Sequence, residues 1–292
     1  MIGDFVIEKK AYAKINLALD VLYKRLDGYH EVSMLMQSIN LYDTVTLTKQ
    51  TAGIQLTTNR ADLPGDVTNL AYRAAHLLQK TCSRVTGVAI TLDKNIPIAA
   101  GLAGGSSDAA AVLSGMNELF ELGLSLSQLS ELGAQIGSDI PFCLSGGTQL
   151  ATGRGEKLTA VPSLPPCYVI LAKPAIAVST AWVYQNYRFD HAVCHPNVGA
   201  FIAALGEGDL VKAVGYGGNV LESVTFAAHP ALAKLKERMA GDGFLMSLMS
   251  GSGPTIFALT TEKERALQLQ QDLENDPTLF VSVVKTVTRE NE

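Results

Sequence analysis

The residues best suited to chemistry lie between Pro97 and Ala111, in the stretch PIAAGLAGGSSDAAA. None of the first eleven side chains exceeds Leu or Ile in size, and three glycines and two serines stand among them. Val88, Ile90 and Leu92 alternate ahead of the stretch as a short strand. Ala109, Val112, Leu113, Met116 and Phe120 follow at the spacing of a single buried helical stripe. A strand, a glycine loop and a helix start, in that order, aim the free N–H groups and partial positive charge of the helix N-terminus at an anion. Glycine lets backbone approach a ligand closely and take positive φ. Ser106 and Ser107 fall where helix caps fall, with hydroxyls suited to phosphate or to a phosphate-bound Mg²⁺. Asp108 in the first turn complements the helix dipole. A loop that only packs a helix onto a sheet needs small residues but not paired serines. The expectation is therefore a phosphate cradle over Pro97, Ile98, Ala99, Ala100, Gly101, Leu102, Ala103, Gly104, Gly105, Ser106 and Ser107. It is neither a Walker loop nor a dinucleotide fingerprint, since GxxxxGK(S/T) and GxGxxG are both absent.

Two ionisable residues stand out elsewhere. Asp139, in IGSDIPF, lies between Gly137 and Pro141 with apolar neighbours, which suits either a turn aspartate or a general base. Lys14, in AYAKINLAL, interrupts an apolar strand, as a solvated edge residue or as a charge aimed at a ligand. Tyr29 and His30 follow the turn signal Asp27-Gly28 and suit either a packed hairpin or a ligand pocket.

The elements that must position these residues are partly legible. Val6 to Tyr23 alternates, with Ile15, Leu17, Leu19 and Val21 on one face and Lys14, Asn16 and Ala18 on the other. More strand follows the turn, through Val45 and Leu47. The spacing predicts helices over 68–80, 127–136, 181–187, 230–239 and 262–275, and strands over 168–172, 255–260 and 279–287. TGRGE reads as a hairpin turn, PSLPP as a linker and SGSGPT as a glycine turn before a buried strand. Strands and helices in both halves, without strict alternation, predict an α+β fold. The 292 residues suffice for two domains, expected at 1–163 and 164–292.

Composition sets bounds. With 47% hydrophobic and 17% charged residues the chain can bury a large core. A net charge of −5 disfavours nucleic acid as a partner, because phosphate neutralisation needs a basic surface. No apolar run is long enough for a membrane span and no leader pattern opens the chain. Cys82, Cys143, Cys167 and Cys194 show no CxxC spacing, so free thiols and a cytoplasmic location are expected. His191, Cys194 and His195 have near-helical spacing, but Pro196 follows and no carboxylate cluster completes a metal site.

Three ordered segments resemble the motifs of the GHMP kinases: AYAKINLAL from Ala11, PIAAGLAGGSSDAAA from Pro97 and SGSGPTIFAL from Ser250. The resemblance implies a two-domain α+β kinase with its active site in the inter-domain cleft, using ATP and Mg²⁺. AKINLAL, RLDGYHEV, GLAGGSSDAA and IGSDIPF are most similar to members that phosphorylate the 2-hydroxyl of 4-diphosphocytidyl-2-C-methyl-D-erythritol, in the non-mevalonate isoprenoid pathway. In that light Asp139 is the implied base and Lys14 its ionic partner, while Asn16 positions the acceptor. Asn69 and Lys94 match positions lining the adenine pocket, their plainer uses being a helix cap and a solvated strand end. Tyr29 and His30 form one wall of a cytosine pocket. Tyr184, with Thr180 beside it, forms the other, and Tyr187 is a rival for that place. Gly251 and Gly253 shape the far side of the site. Ala99, Ala100 and Ala103 replace glycines of many relatives, a change that is harmless where φ is negative. A homoserine- or mevalonate-type kinase, or a non-catalytic sensor on the same fold, remains the alternative. The metal ligands are unassigned, with Ser106 and Ser107 the first candidates.

Overall fold

A computed structural model describes residues 5–189, 195–241 and 243–288. In chain order the elements begin with β1 (Val6–Lys24), β2 (His30–Gln50), β3 (Gly53–Thr58), α1 (Leu70–Thr81), β4 (Gly87–Asp93) and α2 (Gly104–Leu119). They continue with α3 (Leu126–Ala134), α4 (Ile140–Ser145), β5 (Thr148–Thr152), β6 (Lys157–Ala160), β7 (Tyr168–Pro174) and α5 (Thr180–Asn186). The rest are α6 (Val198–Gly206), α7 (Leu210–Val214), β8 (Gly218–Asn219), α8 (Glu222–Ala228), α9 (Pro230–Met239), β9 (Met246–Met249), β10 (Ile256–Thr260), α10 (Lys263–Glu274) and β11 (Leu279–Lys285). The mixture is α+β, as expected.

Two compact units emerge, and neither follows a single cut of the chain. One comprises Met1–Ala13, Leu41–Ile98 and Ala103–Ser145; the other comprises Lys14–Asn40, Ala99–Leu102 and Gly146–Glu292. The boundary expected at 163/164 is a division of sequence. The division by contacts falls instead inside β1 and β2, strands too long to belong to one unit alone.

In the first unit β2 pairs antiparallel with β4, Leu47 opposite Ile90, and β3 runs parallel to β4, Leu56 opposite Ile90. The apolar residues of these strands, with Ala71, Ala74 and Leu78 of α1 and Val112, Leu113 and Met116 of α2, form one buried cluster. The helical stripe read from the sequence is the face that this core requires. Asn69 caps α1, accepting from Ala71 N–H at 3.0 Å. Ser125 and Gln128 form a reciprocal capping box on α3.

In the second unit β2 pairs antiparallel with β5, β5 with β6, and β1 runs parallel to β8. TGRGE is the hairpin turn between β5 and β6, as its sequence reads. A four-stranded antiparallel sheet, ordered β11-β7-β10-β9, carries the C-terminal half. β10 is buried along its whole length, which matches the apolar run Ile256–Leu259. Among the described residues no helix is long and apolar enough to cross a membrane.

Candidate active site

Alternation along β1 places Lys14 and Asn16 opposite Ile15 and Leu17, yet both faces are buried here. The solvated-edge use of Lys14 is therefore corrected: Lys14 is 4% exposed and Asn16 1%. A buried ammonium needs partners. Lys14 Nζ donates to Asn16 Oδ1 and to Gly101 O, each at 2.8 Å, and Lys14 N–H donates to Leu102 O at 3.1 Å. Ser250 Oγ donates to the same Gly101 carbonyl at 3.0 Å. Gly101 has φ +74°, and a Cβ there would lie 2.2 Å from Ser250 O, so only glycine fits. Asn219, which the sequence did not single out, holds the Ser250 turn from behind. Its Nδ2 donates to Met249 O and Gly251 O, both at 2.7 Å. Gly251 and Gly253 take φ +57° and +87° in that turn. The second unit thus gathers Lys14, Asn16, Gly101 and the 250–253 turn into one hydrogen-bonded group.

The same unit assembles an aromatic set. Arg25 N–H donates to Tyr29 O at 2.8 Å, closing the turn between β1 and β2. Tyr29 is 54% exposed, with the Arg154 guanidinium 4.9 Å above its ring. The His30 ring lies 5.4 Å from that of Tyr184 and 6.2 Å from that of Phe189. Tyr187 is 6% exposed and packs edge-on against Phe189 at 4.9 Å. Of the two rivals, Tyr184 is the ring beside His30. Thr180 Oγ1 shares a 2.8 Å hydrogen bond with Ser252 Oγ. Burial, and secondarily the charge of Lys24, hold the His30 pKa below its ordinary value, which favours the neutral ring. Asp20 lies on the Lys14 face of β1 and meets His195 Nδ1 at 2.6 Å. His191 and Cys194, considered with His195 as metal ligands, lie outside the described residues.

In the first unit α2 begins at Gly104, and Ala103 is its N-cap. The expectation that the serines sit at the cap is corrected: Ser106 and Ser107 occupy the first turn. Ser107 Oγ donates to Tyr12 O at 2.6 Å, while its oxygen keeps lone pairs. Ala99 and Ala103 have φ +50° and +60°, so the condition of negative φ fails at both. The loop takes left-handed turns there with alanine, at a strain typical of functional sites.

Asp108 does more than complement a dipole. It is 2% exposed and accepts from Lys94 Nζ at 2.6 Å. Lys94 is 8% exposed, no solvated strand end, and also pairs with buried Asp43. Asp43 Oδ1 accepts from Asn95 N–H and Ile96 N–H at 2.5 and 2.8 Å. Burial, against the opposing charge of Lys94, pushes the Asp108 carboxyl up to about 7. Asn69 serves as the α1 cap and also donates to Pro64 O at 3.0 Å.

Asp139 opens α4, its carbonyl accepting from Cys143 N–H at 3.0 Å, and is half-buried. The short α4 did not show in the sequence, where Asp139 reads as lying in a loop. Ser106 Oγ is 3.8 Å from where a Cβ on Gly137 would stand, so the first turn of α2 and the turn bearing Asp139 are neighbours. Among the described residues no group of three or more His, Cys, Asp or Glu side chains could hold a metal ion.

Two family models match the chain: "GHMP kinases N terminal domain" over residues 69–147 and "GHMP kinases C terminal" over residues 191–277. A curated 4-diphosphocytidyl-2-C-methyl-D-erythritol kinase of Geobacillus sp. (strain WCH70) is 52% identical over 265 residues, covering 90% of this chain and 91% of the relative. One from Exiguobacterium sibiricum is 51% identical, covering 90% and 92%. A crystal structure of a 4-(cytidine 5'-diphospho)-2C-methyl-D-erythritol kinase superposes with a TM-score of 0.80 at 33% identity, covering 95% of this chain and 99% of the other. Homoserine kinase from Cytophaga hutchinsonii superposes with a TM-score of 0.79 at 21% identity, covering 99% and 96%, a likeness of fold.

Proposed function

The chain belongs to the GHMP kinase family and is an ATP-dependent small-molecule kinase, and from that premise we propose that its acceptor is the 2-hydroxyl of 4-diphosphocytidyl-2-C-methyl-D-erythritol. The observation that carries the reading is identity at about half of all positions, over nine-tenths of the chain, with curated kinases of that name. The reaction would serve isoprenoid precursor synthesis in the cytoplasm.

Phosphoryl transfer from ATP asks a protein mainly for positioning and charge stabilisation. The Pro97–Ser107 segment is the proposed cradle for the ATP phosphates, with α2 N–H groups directed at them. Asp139 is the proposed base for the acceptor hydroxyl. Lys14, held by Asn16 and the Gly101 carbonyl, supplies fixed positive charge for the developing alkoxide. Mg²⁺, when bound with ATP, neutralises phosphate charge. The Ser106 and Ser107 hydroxyls, oxygen donors suited to a hard cation, are the proposed protein ligands. Neutral His30 can both donate and accept along a cytosine edge. Tyr29 and Tyr184 offer rings for stacking, and Thr180 and Asn16 are the proposed polar contacts. Asn69 and Lys94 stay as proposed contributors to the adenine side. Partners are then two small anionic molecules, with no nucleic acid or membrane required.

The test is ATP-dependent phosphorylation across a panel: the diphosphocytidyl compound, its uridyl analogue, homoserine, mevalonate and galactose. The cytidyl compound should be phosphorylated with the highest kcat/KM. The uridyl analogue should be much poorer, because a site built for a donor amino group leaves polar groups unpaired against a carbonyl. Faster turnover of homoserine or mevalonate would overturn the acceptor and leave the kinase. ATP binding without turnover of any panel member would favour a sensor.

A further inference from the structure

The buried Asp43–Lys94–Asp108 cluster brackets the glycine-rich loop, and nothing in the chemistry above uses it as a unit. Lys94 and the residues after it enter the loop from β4; Asp108 belongs to the first two turns of α2, where the chain leaves it. Asp43 reaches in from β2, 51 residues before Lys94 in the chain. It binds the entering strand twice through the Asn95 and Ile96 N–H groups and once through the Lys94 ammonium. Lys94 then binds Asp108. Asn59, at the end of β3, accepts from Lys94 N–H at 2.9 Å and so fixes the lysine's backbone as well. A Cβ on Gly104 would stand 3.0 Å from Ile96 Cγ2 and 3.5 Å from Lys94 Nζ, so entry and exit are in close contact.

Thermodynamic stability is a poor explanation for this arrangement. Two carboxyl groups share one ammonium in a region almost closed to solvent, and a buried, unevenly paired set of ionisable groups of this kind is costly to keep. Asp108 Oδ1 has no hydrogen-bond partner among the described residues. Apolar side chains of similar volume commonly serve a core as well as or better than buried ions. What the ions add is directional: each bond fixes a distance between β2, the loop entrance and α2.

We propose that Asp43, Lys94 and Asp108 form a positioning clamp that sets the two ends of the phosphate loop, so that the loop backbone meets ATP in one conformation. This deepens the kinase reading and rests on it. The side chains touch each other rather than the reacting atoms; Asp43 and Asp108 are assigned no contact with ATP, so their effect reaches it through the loop, and their variants carry the test where Lys94 also borders the adenine side.

The experiment uses full-length protein with three near-isosteric variants, Asp43→Asn, Asp108→Asn and Lys94→Met, and the bulkier-loss variant Asp108→Ala. Four quantities are read: thermal midpoint, affinity for a non-hydrolysable ATP analogue by calorimetry, KM for ATP against KM for the acceptor, and amide hydrogen exchange over 97–103. Asp43→Asn, Asp108→Asn and Lys94→Met should fold, weaken analogue binding by about ten-fold, and raise KM for ATP while KM for the acceptor stays within about two-fold. Loop exchange should quicken in each. Asp108→Asn keeps one acceptor for Lys94, so it should bind the analogue better than Asp108→Ala. The double variant Asp43→Asn/Asp108→Asn should lose less than the sum of the single losses, because both act through Lys94. Folded variants with lower thermal midpoints but unchanged analogue affinity and loop exchange would overturn the clamp, leaving a merely structural cluster. Equal rises in both KM values would overturn it too. Analogue binding is measured without acceptor, so a wrong acceptor assignment leaves this result intact. Failure of wild-type protein to bind the analogue would sink the clamp and the ATP reading together.

Discussion

At the scale of single residues, burial at His30 gives a pH dependence whose sign can be worked out. Partial burial and the Lys24 charge disfavour the imidazolium, so the folded-state pKa lies below the ordinary value of about 6.5. Above that range the ring is neutral in both folded and unfolded chains. As pH falls below it, the unfolded chain takes up the proton first, so this group's contribution to stability is lost on acidification through the lowered folded pKa. Protonation also removes the ring's acceptor nitrogen. KM for the cytidyl acceptor should therefore be flat at neutral pH and climb on acidification below the ordinary histidine range. His30→Ala should raise KM throughout and flatten the climb. An unaltered acid limb in that variant would assign the titration to another group. For Asp139, Asp139→Asn should fold, bind ATP, and lose kcat by about 100-fold or more, the scale of a positioned base. Near-normal kcat in the folded variant would remove Asp139 from the chemistry. The residues legible in the sequence are those whose type offends their surroundings: Lys14 in an apolar strand, His30 after a turn, Asp139 between Gly and Pro. Asp43 offends just as much, an aspartate among the apolar residues of β2, but its partners come from a distant segment. Asn219 lies in a two-residue strand and serves a turn thirty residues later. Nothing in local spacing announces either.

Among the elements, the start of α2 separates packing from ligand contact. Gly104 is pinned against Ile96 and Lys94, so Gly104→Val would disturb the clamp as well as any ligand, and a weakened nucleotide would have two explanations. Gly105 is exposed, and a Cβ there meets only Leu70 Cδ1 within 4 Å, at an ordinary 3.6 Å. Gly105→Val should leave the thermal midpoint nearly unchanged yet weaken binding of a non-hydrolysable ATP analogue by about ten-fold or more. Unchanged affinity would mean that this backbone does not approach phosphate. Ala103, at φ +60°, provides a companion test of the loop's conformation. Ala103→Gly removes steric strain of about 1 kcal/mol and adds a comparable unfolded-state entropy, so stability should barely move. Ala103→Val places a β-branched residue at positive φ and should lower the midpoint clearly. Elements with several full periods, such as β1, α1, α2, α9 and α10, were readable because one buried face repeats. The segments α4, α7, β8 and β9 span one or two turns or a few residues, too little for a period to register. The apolar residues of α6, VGAFIAALG, surround the helix and leave no polar face to mark it.

For the molecule as a whole, the arrangement of contacts disagrees with the arrangement of sequence in a way that can be measured. A cut at 163/164 would give a C-terminal piece that keeps the β11-β7-β10-β9 sheet intact. That piece would lose much of what its unit packs on. Gln37 Nε2 donates to Val287 O at 2.8 Å, and Asn40 Oδ1 accepts from Lys285 N–H at 2.6 Å. β8 pairs with β1 through Ala18 and Leu19. Ser250 and the Gly251 turn are held to Gly101 from the N-terminal half. Each of these contacts lies within one compact unit, and each crosses the proposed cut. Residues 164–292 expressed alone should therefore show strand and helix signal but a broad, low-temperature melt, with exposed apolar surface promoting aggregation. Co-expression with residues 1–163 should restore a soluble complex with a sharp melt. Circular dichroism through a thermal ramp distinguishes the outcomes. A cooperative transition in the isolated 164–292 piece, at a midpoint near that of the full chain, would show that the sequence boundary is also the folding boundary, and that the N-terminal strands Lys14–Asn40 add little to the stability of the unit they join.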